Sequence, residues 1–148
     1  MSGEYNEAAY RDARTSINPS PCVFEKALLA TCVACSRAGK HLLAERETIN
    51  CRDADARQRC AALRAALRAH ASFALGVSNP HSPVPHSKEI KAQCGGLKGL
   101  QLALSGRDAV SDVHALVTVA LSTFSDLDAL PYAAIVRSIA QFNIRKRD

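Results

Sequence analysis

Apolar residues recur at steps of three and four along most of this sequence, which is the spacing of one face of an α-helix. No stretch alternates between apolar and polar residues for long enough to predict a β-strand. Prolines, glycines and capping residues divide the periodic pattern into segments. The predicted helices cover, approximately and in chain order, residues 22–47, 53–75, 87–104 and 108–121, and a last helix begins at Pro131.

These segments predict an all-α fold, an irregular bundle of about four or five helices in a single domain. A chain of 148 residues is long enough to bury a core without help from disulfides or metals. Residues 1–20 are polar and rich in turn-forming residues at their end, so they predict an N-terminal tail, and the bundle is expected to span 21–148. Three prolines between Gly76 and His86 predict a long loop joining the second and third helices.

Six cysteines stand out in this pattern, because a reduced protein of this size does not need so many for packing. Four of them fall on the apolar stripes of three predicted helices, namely Cys32, Cys35, Cys60 and Cys94. Cys32 and Cys35 are three residues apart, so a helix would place both sulfurs on one side. Thiolates are soft ligands that bind zinc, copper(I) and iron–sulfur clusters. The sequence therefore predicts that the bundle gathers these four sulfurs into a metal site.

An iron–sulfur cluster of the 4Fe–4S type fits scattered cysteines better than a structural zinc ion does. A cluster can take ligands from distant points of the chain. Structural zinc sites use two closely spaced ligand pairs, and this chain contains only one Cys-x-x-Cys pair. Gly95 and Gly96 follow Cys94 directly, and we expect them to leave backbone N–H groups free to contact the cluster.

The level of Cys94 in the bundle makes Cys51 and Cys22 the reserve ligands. Cys94 lies early in the third helix, whereas Cys60 lies more than three turns before the end of the second helix. The two sulfurs are therefore expected at different levels of the bundle. The loop between these helices also carries His81 and His86, which can supply histidine ligands. We expect this loop to lie over the sulfur site and to limit the access of water to it.

Three other interpretations of the cysteines stay open. A single zinc or copper(I) ion can take the place of the cluster, or the thiols are buried apolar residues of a helical protein-interaction module. The spacing Cys22-x9-Cys32 followed by Cys51-x8-Cys60 is similar to the paired Cys-x9-Cys hairpins of small, oxidatively folded proteins. There, two disulfides join two helices. This chain is one residue short in its second spacing, and a helix turns about 100° per residue, so one sulfur would point away from its partner.

The absence of familiar motifs argues against a stand-alone enzyme. The sequence contains no dinucleotide-binding glycine motif, phosphate loop or nucleophile elbow, and it lacks the paired Glu-x-x-His of di-iron bundles. We assign no catalytic residue and expect a role in electron transfer, redox sensing or cluster handling. Residues 1–20 carry charges and no sustained apolar run, so we expect neither a signal peptide nor a membrane span, and a cytoplasmic location.

The net charge of +5 is modest. Arg57, Arg59, Arg64 and Arg68 are expected to form a solvated face of the second helix. No aromatic residues alternate with these arginines as in single-strand binders, so nucleic-acid binding is not expected. The basic residues 145–147 are expected to meet an acidic protein partner. Nothing in the sequence identifies a small-molecule substrate.

Overall fold

The computed structural model describes residues 20–43, 46–79 and 83–143. These ranges are mostly helical and include a small two-stranded sheet. The predicted tail therefore lies outside the described residues, except for Ser20, and so do His81 and residues 145–147. In chain order the elements are α1 (Glu25–Leu29), β1 (Ala38–Leu43), β2 (Arg46–Cys51), α2 (Ala54–Leu75), α3 (His86–Ser105), α4 (Val113–Phe124), a 3-10 turn (Leu127–Ala129) and α5 (Tyr132–Gln141).

The first predicted helix is the main error of the sequence interpretation. Only α1 is helical, and a turn at Thr31, whose φ is 61°, takes the chain out of the helix. Residues 38–43 and 46–51 then pair as the two antiparallel strands of a hairpin, in which Ala38 lies opposite Cys51. Gly39 leaves room for the side chain of Asn50, because a Cβ at position 39 would lie 2.3 Å from Oδ1 of Asn50 and would force that side chain to turn. Each strand has six residues, too few for alternation to stand out from a helical pattern.

Helix α2 confirms the second predicted helix at both ends. The Asp53 carboxylate accepts a hydrogen bond of 3.0 Å from the backbone N–H of Ala56, which caps the N-terminus. Gly76 ends the helix in the left-handed conformation, with a φ of 68°. The third and last predicted helices match α3 and α5 closely, whereas α4 begins after a cap at Asp112 rather than near Asp108.

Helix α3 is the central helix, and small residues let its neighbours approach closely. A Cβ on Gly95 would lie 2.7 Å from Cα of Ile139 in α5, and a Cβ on Gly99 would lie 2.7 Å from Cβ of Ser138. The largest fully buried side chains belong to one hydrophobic core: Phe24, Leu63, Leu67, Leu97, Leu100, Ile135 and Ile139. Within the described ranges, no helix is both long and apolar enough to cross a lipid bilayer.

A buried carboxylate joins three helices. Glu89 of α3 is only 3% exposed. It accepts hydrogen bonds from Nε of Arg64 at 3.0 Å and from a guanidinium N–H of Arg68 at 3.3 Å, both on α2. Gln93 donates to the same carboxylate at 2.8 Å and accepts from the backbone N–H of Ala27 in α1 at 3.1 Å. Two of the arginines predicted to form a solvated face therefore hold helices together instead.

Gly95→Ala should destabilise the protein by about 1–3 kcal/mol, because the new methyl group would meet the backbone of Ile139, which cannot turn aside. Gly96→Ala should lower the free energy of unfolding by less than Gly95→Ala does. Its Cβ would meet Cδ1 of Leu67 at 2.9 Å, the end of a flexible side chain. Urea unfolding of both variants measures the difference in the free energy of unfolding. Equal losses would contradict the close approach of α3 and α5.

Glu89→Ala should cost about 3 kcal/mol of unfolding free energy, because it leaves the mostly buried Arg68 without its carboxylate. Glu47→Ala is the matched control, since its ion pair with Lys40 is exposed and is expected to contribute less than about 1 kcal/mol. Urea unfolding again supplies the measurement. A loss at Glu89 no larger than at Glu47 would contradict the proposed role.

The pH dependence provides a second test of the Glu89 contacts. Burial alone would raise the pKa of Glu89, but hydrogen bonds from Arg64 and Gln93 and the arginine charges lower it below the ordinary 4.5. Because the folded pKa is the lower one, the stabilisation is complete above about pH 4.5 and is lost as the pH falls further. Stability of the wild type should therefore fall more steeply in acid than that of Glu89→Ala.

Candidate metal centre

Four cysteines line one small cavity, which lies between the chain preceding α1, the hairpin and the beginning of α2. They are Cys22, Cys35, Cys51 and Cys60. The cavity has a volume of about 20 Å³, room for about one water molecule. Most of the other lining side chains are apolar, and three are basic: Val23, Phe24, Leu28, Ala38, Ala56, Val113, Arg37, Arg57 and His114.

Each of these cysteines is positioned by a different part of the chain. Cys22 is held beside β2, where its backbone N–H donates to the carbonyl of Ile49 at 2.8 Å. Cys51 ends β2, and Cys60 lies in the second turn of α2. Cys35 lies in the loop before β1.

The loop that carries Cys35 is fastened to the start of α4. Ala34 donates to the carbonyl of Val110 at 3.2 Å and accepts from the N–H of Val113 at 2.8 Å. The backbone N–H of Ser36 donates to the Asp112 carboxylate at 2.9 Å. These bonds hold Cys35 on both sides, so its position against α4 does not depend on a metal.

Backbone N–H groups point at two of the sulfurs. Sγ of Cys35 accepts a hydrogen bond of 3.5 Å from the backbone N–H of Arg37. The backbone N–H groups of His114 and Phe24 also act on the thiols, since they lower the pKa of Cys35 and of Cys22 respectively. Cys51 behaves differently, because its thiol donates to the carbonyl of Asp53 at 3.2 Å. Hydrogen bonds accepted by sulfur stabilise a thiolate and tune a metal bound to it.

Burial favours the protonated form of three of these thiols when no metal is bound. It raises the pKa of Cys22 to about 11 and that of Cys60 to about 12. The pKa of Cys35 is raised as well, mainly by burial. Neighbouring thiols add to each of these shifts, because thiolates close together repel one another. A cation in the cavity would reverse this balance and release the protons.

The structure does not bring the four predicted ligands to one place. Cys35 and Cys60 line the cavity, whereas Cys32 and Cys94 form a disulfide and are absent from its wall. Sulfurs bonded to each other offer no thiolate to a metal. Cys32 and Cys35 lie apart because α1 ends at Leu29. The chain beyond it is not helical, so Cys32 reaches α3 while Cys35 lies beside α4.

The other residues predicted to serve the site lie elsewhere. His86 begins α3 and accepts a hydrogen bond from Nζ of Lys26 at 2.8 Å. Gly95 packs against α5, and Gly96 packs against Leu67. Close helix packing accounts for both glycines. Their role at a cluster stays a prediction, as does that of His81, which lies outside the described residues.

Cys51 and Cys22, which the sequence offered as reserve ligands, line the cavity together with Cys35 and Cys60. Within residues 20–43, 46–79 and 83–143, no three His, Cys, Asp or Glu side chains already stand in an arrangement that could hold a metal ion. The four thiols line one cavity, and ligation would require their side chains to turn towards a common point.

Sequence reasoning missed the basic residues of the cavity wall. The sequence does not single out His114, and it predicts a solvated helix face for Arg57, whereas Nε of Arg57 donates to the carbonyl of Pro21 at 2.7 Å. No local pattern marks them, because their place depends on how the Cys35 loop meets α4. No protein-family model matches this chain, and neither a curated protein nor a solved structure matches it. The chemistry of the site therefore rests on its own residues.

The reduced, metal-free protein should lose stability as the pH rises above about 9. An unfolded thiol has the ordinary pKa of 9.0, whereas Cys22 and Cys60 keep their protons to about 11 and 12 when folded. The unfolded state therefore releases these protons at a lower pH than the folded state, so alkali favours unfolding. Each partly buried thiol lowers the free energy of unfolding by less than about 1.4 kcal/mol per pH unit. Urea unfolding under reductant should give a flatter alkaline slope for Cys60→Ala. Equal slopes would contradict the burial of this thiol.

Proposed function

We propose that the protein is a metal-binding protein whose centre is an iron–sulfur cluster held by Cys22, Cys35 and Cys60, with a fourth ligand from the same cavity wall. The observation that carries this proposal is the gathering of four cysteines, from four separate parts of the chain, around one cavity. Cysteines so far apart in sequence are typical of cluster ligands and unlike the closely spaced pairs of structural zinc sites.

Three features of the cavity support a negatively charged thiolate centre. A backbone N–H donates to the sulfur of Cys35, and the backbone N–H of Phe24 lowers the pKa of Cys22. Arg37 and Arg57 are among the lining residues, and positive charge near the cavity lowers the cost of burying thiolates. The remaining wall is mostly apolar, which excludes water from a cluster and protects it.

A single zinc or copper(I) ion is the second candidate, and the volume of the cavity favours it. A space of about 20 Å³ is large enough for one ion, so only the cysteine side chains would have to turn towards it. A four-iron cluster is larger, so the hairpin and the Cys35 loop would have to move apart. The two candidates use the same thiols and differ in their inorganic content.

The proposed role is electron transfer, redox sensing or cluster handling for a protein partner, without catalysis and without binding to membranes or nucleic acid. A cytoplasmic location belongs to the same proposal. Disulfides in that compartment are usually transient and redox-sensing. The Cys32–Cys94 bond would then respond to the cellular redox state, while the cavity thiols hold the metal.

Anaerobically purified protein should contain iron and inorganic sulfide in comparable amounts and absorb visible light. Cys35→Ser should remove the metal, because it takes away the thiolate that two backbone N–H groups support. The double variant Cys32→Ala with Cys94→Ala is the matched control. It loses two cysteines outside the cavity and should keep the metal content of the wild type.

The inorganic content decides between the candidates. Zinc or copper without inorganic sulfide would mean that the centre is a single ion and not a cluster. A wild-type protein that contains none of these metals, and that takes up neither iron with sulfide nor zinc under reductant, would overturn the proposal. Loss of metal in the control variant, with circular dichroism showing an intact fold, would return Cys32 and Cys94 to the ligand set.

A further inference from the structure

We propose that the exposed face of α2 is a dimer interface, on which a second copy of the chain packs its own α2 in the antiparallel direction. The observation that prompts this inference is Phe73, whose side chain is 97% exposed. A whole aromatic ring in water is unfavourable, so a partner that covers it gains free energy from its burial. The inference does not depend on the proposed metal centre, because Cys60 lies on the side of α2 that packs against the core.

Phe73 is the last member of a regular seam along α2. Residues 55, 59, 62, 66, 69 and 73 follow one another at alternating steps of four and three. This is the spacing of the residues that face a partner helix in a coiled coil. The last four members are apolar: Ala62, Ala66, Ala69 and Phe73. The helix buries a different set of positions against the core, and three of these four side chains are exposed while Ala66 is half-buried.

Helix propensity accounts for the alanines of the seam but not for Phe73. Alanine is the best helix former, and a solvent-facing helix can be rich in it for that reason alone. Phenylalanine is a poorer helix former, and its own chain leaves this ring almost wholly uncovered. Small side chains beside a large one suit a close pair of helices, because the alanines let two backbones approach and the ring fills the remaining space.

Charges at the two ends of this face favour a second copy as the partner. Asp55 is exposed in the first turn of α2. Lys88 of α3 lies at the opposite end of the face, where its Nζ is 3.5 Å from the position that a Cβ on Gly76 would take. Within the described ranges, neither Asp55 nor Lys88 belongs to an ion pair. One copy therefore offers a free negative charge at one end of the face and a free positive charge at the other.

An antiparallel pair with two-fold symmetry uses each of these features twice. With Ala62 of one copy opposite Ala66 of the other, the seam spacing sets Phe73 beside residues 55 and 59 of the second copy. The aliphatic part of Arg59 can then cover the ring, and Asp55 comes near the Lys88 ammonium of the other copy. A parallel pair would instead place like charges together at each end, which is unfavourable.

Sedimentation equilibrium of the full-length chain measures the dimer. The wild type should associate reversibly, and Ala62→Arg should weaken the association by at least about tenfold, because it introduces a charge into the apolar seam. Ala61→Arg is the matched control and should leave the association unchanged. Ala61 is also an exposed alanine of α2, but it lies about 100° around the helix from Ala62.

Phe73→Ala is the second disruptive variant and keeps the test valid if Ala62→Arg fails to fold. It should weaken the dimer by at least about tenfold, as the loss of a central aromatic contact does. The stability of the monomer should not change, since the ring is almost fully exposed there. Urea unfolding at a concentration where the chain is monomeric measures that stability.

A charge exchange tests the direction of the pair. Asp55→Lys and Lys88→Asp should each weaken the dimer by about threefold, and the double variant should regain the wild-type affinity, which a parallel pair would not show. A wild type that remains monomeric at about 1 mM would overturn the inference, and so would a dimer joined by a disulfide on non-reducing electrophoresis. A dimer weakened equally by Ala61→Arg and Ala62→Arg would also overturn it. The metal content of the same samples tests the proposed function separately.

Discussion

The buried carboxylate of Glu89 is the interaction on which the arrangement of the helices depends. It lies on α3 and accepts hydrogen bonds from two arginines of α2, and through Gln93 it is connected to the backbone of α1. A buried carboxylate is costly unless its lone pairs are satisfied, so the three helices can pack only in a register that brings all of these donors together. The sulfur cavity lies between the beginnings of α1 and α2, and this register sets the distance between them.

A short turn determines which cysteines meet. Thr31 has a φ of 61°, a conformation that costs a residue with a side chain about 1–2 kcal/mol. The turn sends Cys32 to α3, where it bonds to Cys94 across 62 residues of sequence. Closing a loop of that length removes entropy from the unfolded chain worth about 4 kcal/mol in the chain-entropy model. The bond can therefore offset the strain, and it leaves Cys35 free to lie against α4.

The cavity that results has two opposed electrostatic properties. Without a metal, burial and the proximity of other thiols favour the protonated form of Cys22, Cys35 and Cys60. The backbone N–H groups directed at two of these sulfurs favour the thiolate instead. A cation would tip this balance, and the proposed centre would bind with release of protons, more tightly at higher pH. Without a cation, burial and the neighbouring thiols make the thiolate forms unfavourable.

The sequence by itself determined the elements whose signals are local. The Asp53 cap, the Gly76 terminus and the apolar spacing between them are sufficient to define α2, and similar signals mark most of α3 and α5. The sequence also indicated cysteines as candidate functional residues, because six of them in a short chain suggest thiol chemistry whatever the fold. Of the four preferred ligands, however, only Cys35 and Cys60 share the cavity.

Only the tertiary structure decided the hairpin, the partners of the arginines and the grouping of the thiols. Strands of six residues become stable by pairing with each other and with residues 20–22, and Gly39 and Asn50 fit together only in that pairing. In the sequence, Arg64 cannot be told from a solvent-facing residue of α2. Only the packing of α3 places Glu89 beside it. Helical periodicity is a property of neighbours along the chain, whereas the proximity of Cys22 to Cys60, or of Cys32 to Cys94, depends on how distant segments pack. The sequence therefore pointed to the cysteines as candidates, and only the packing decided which of them lie together.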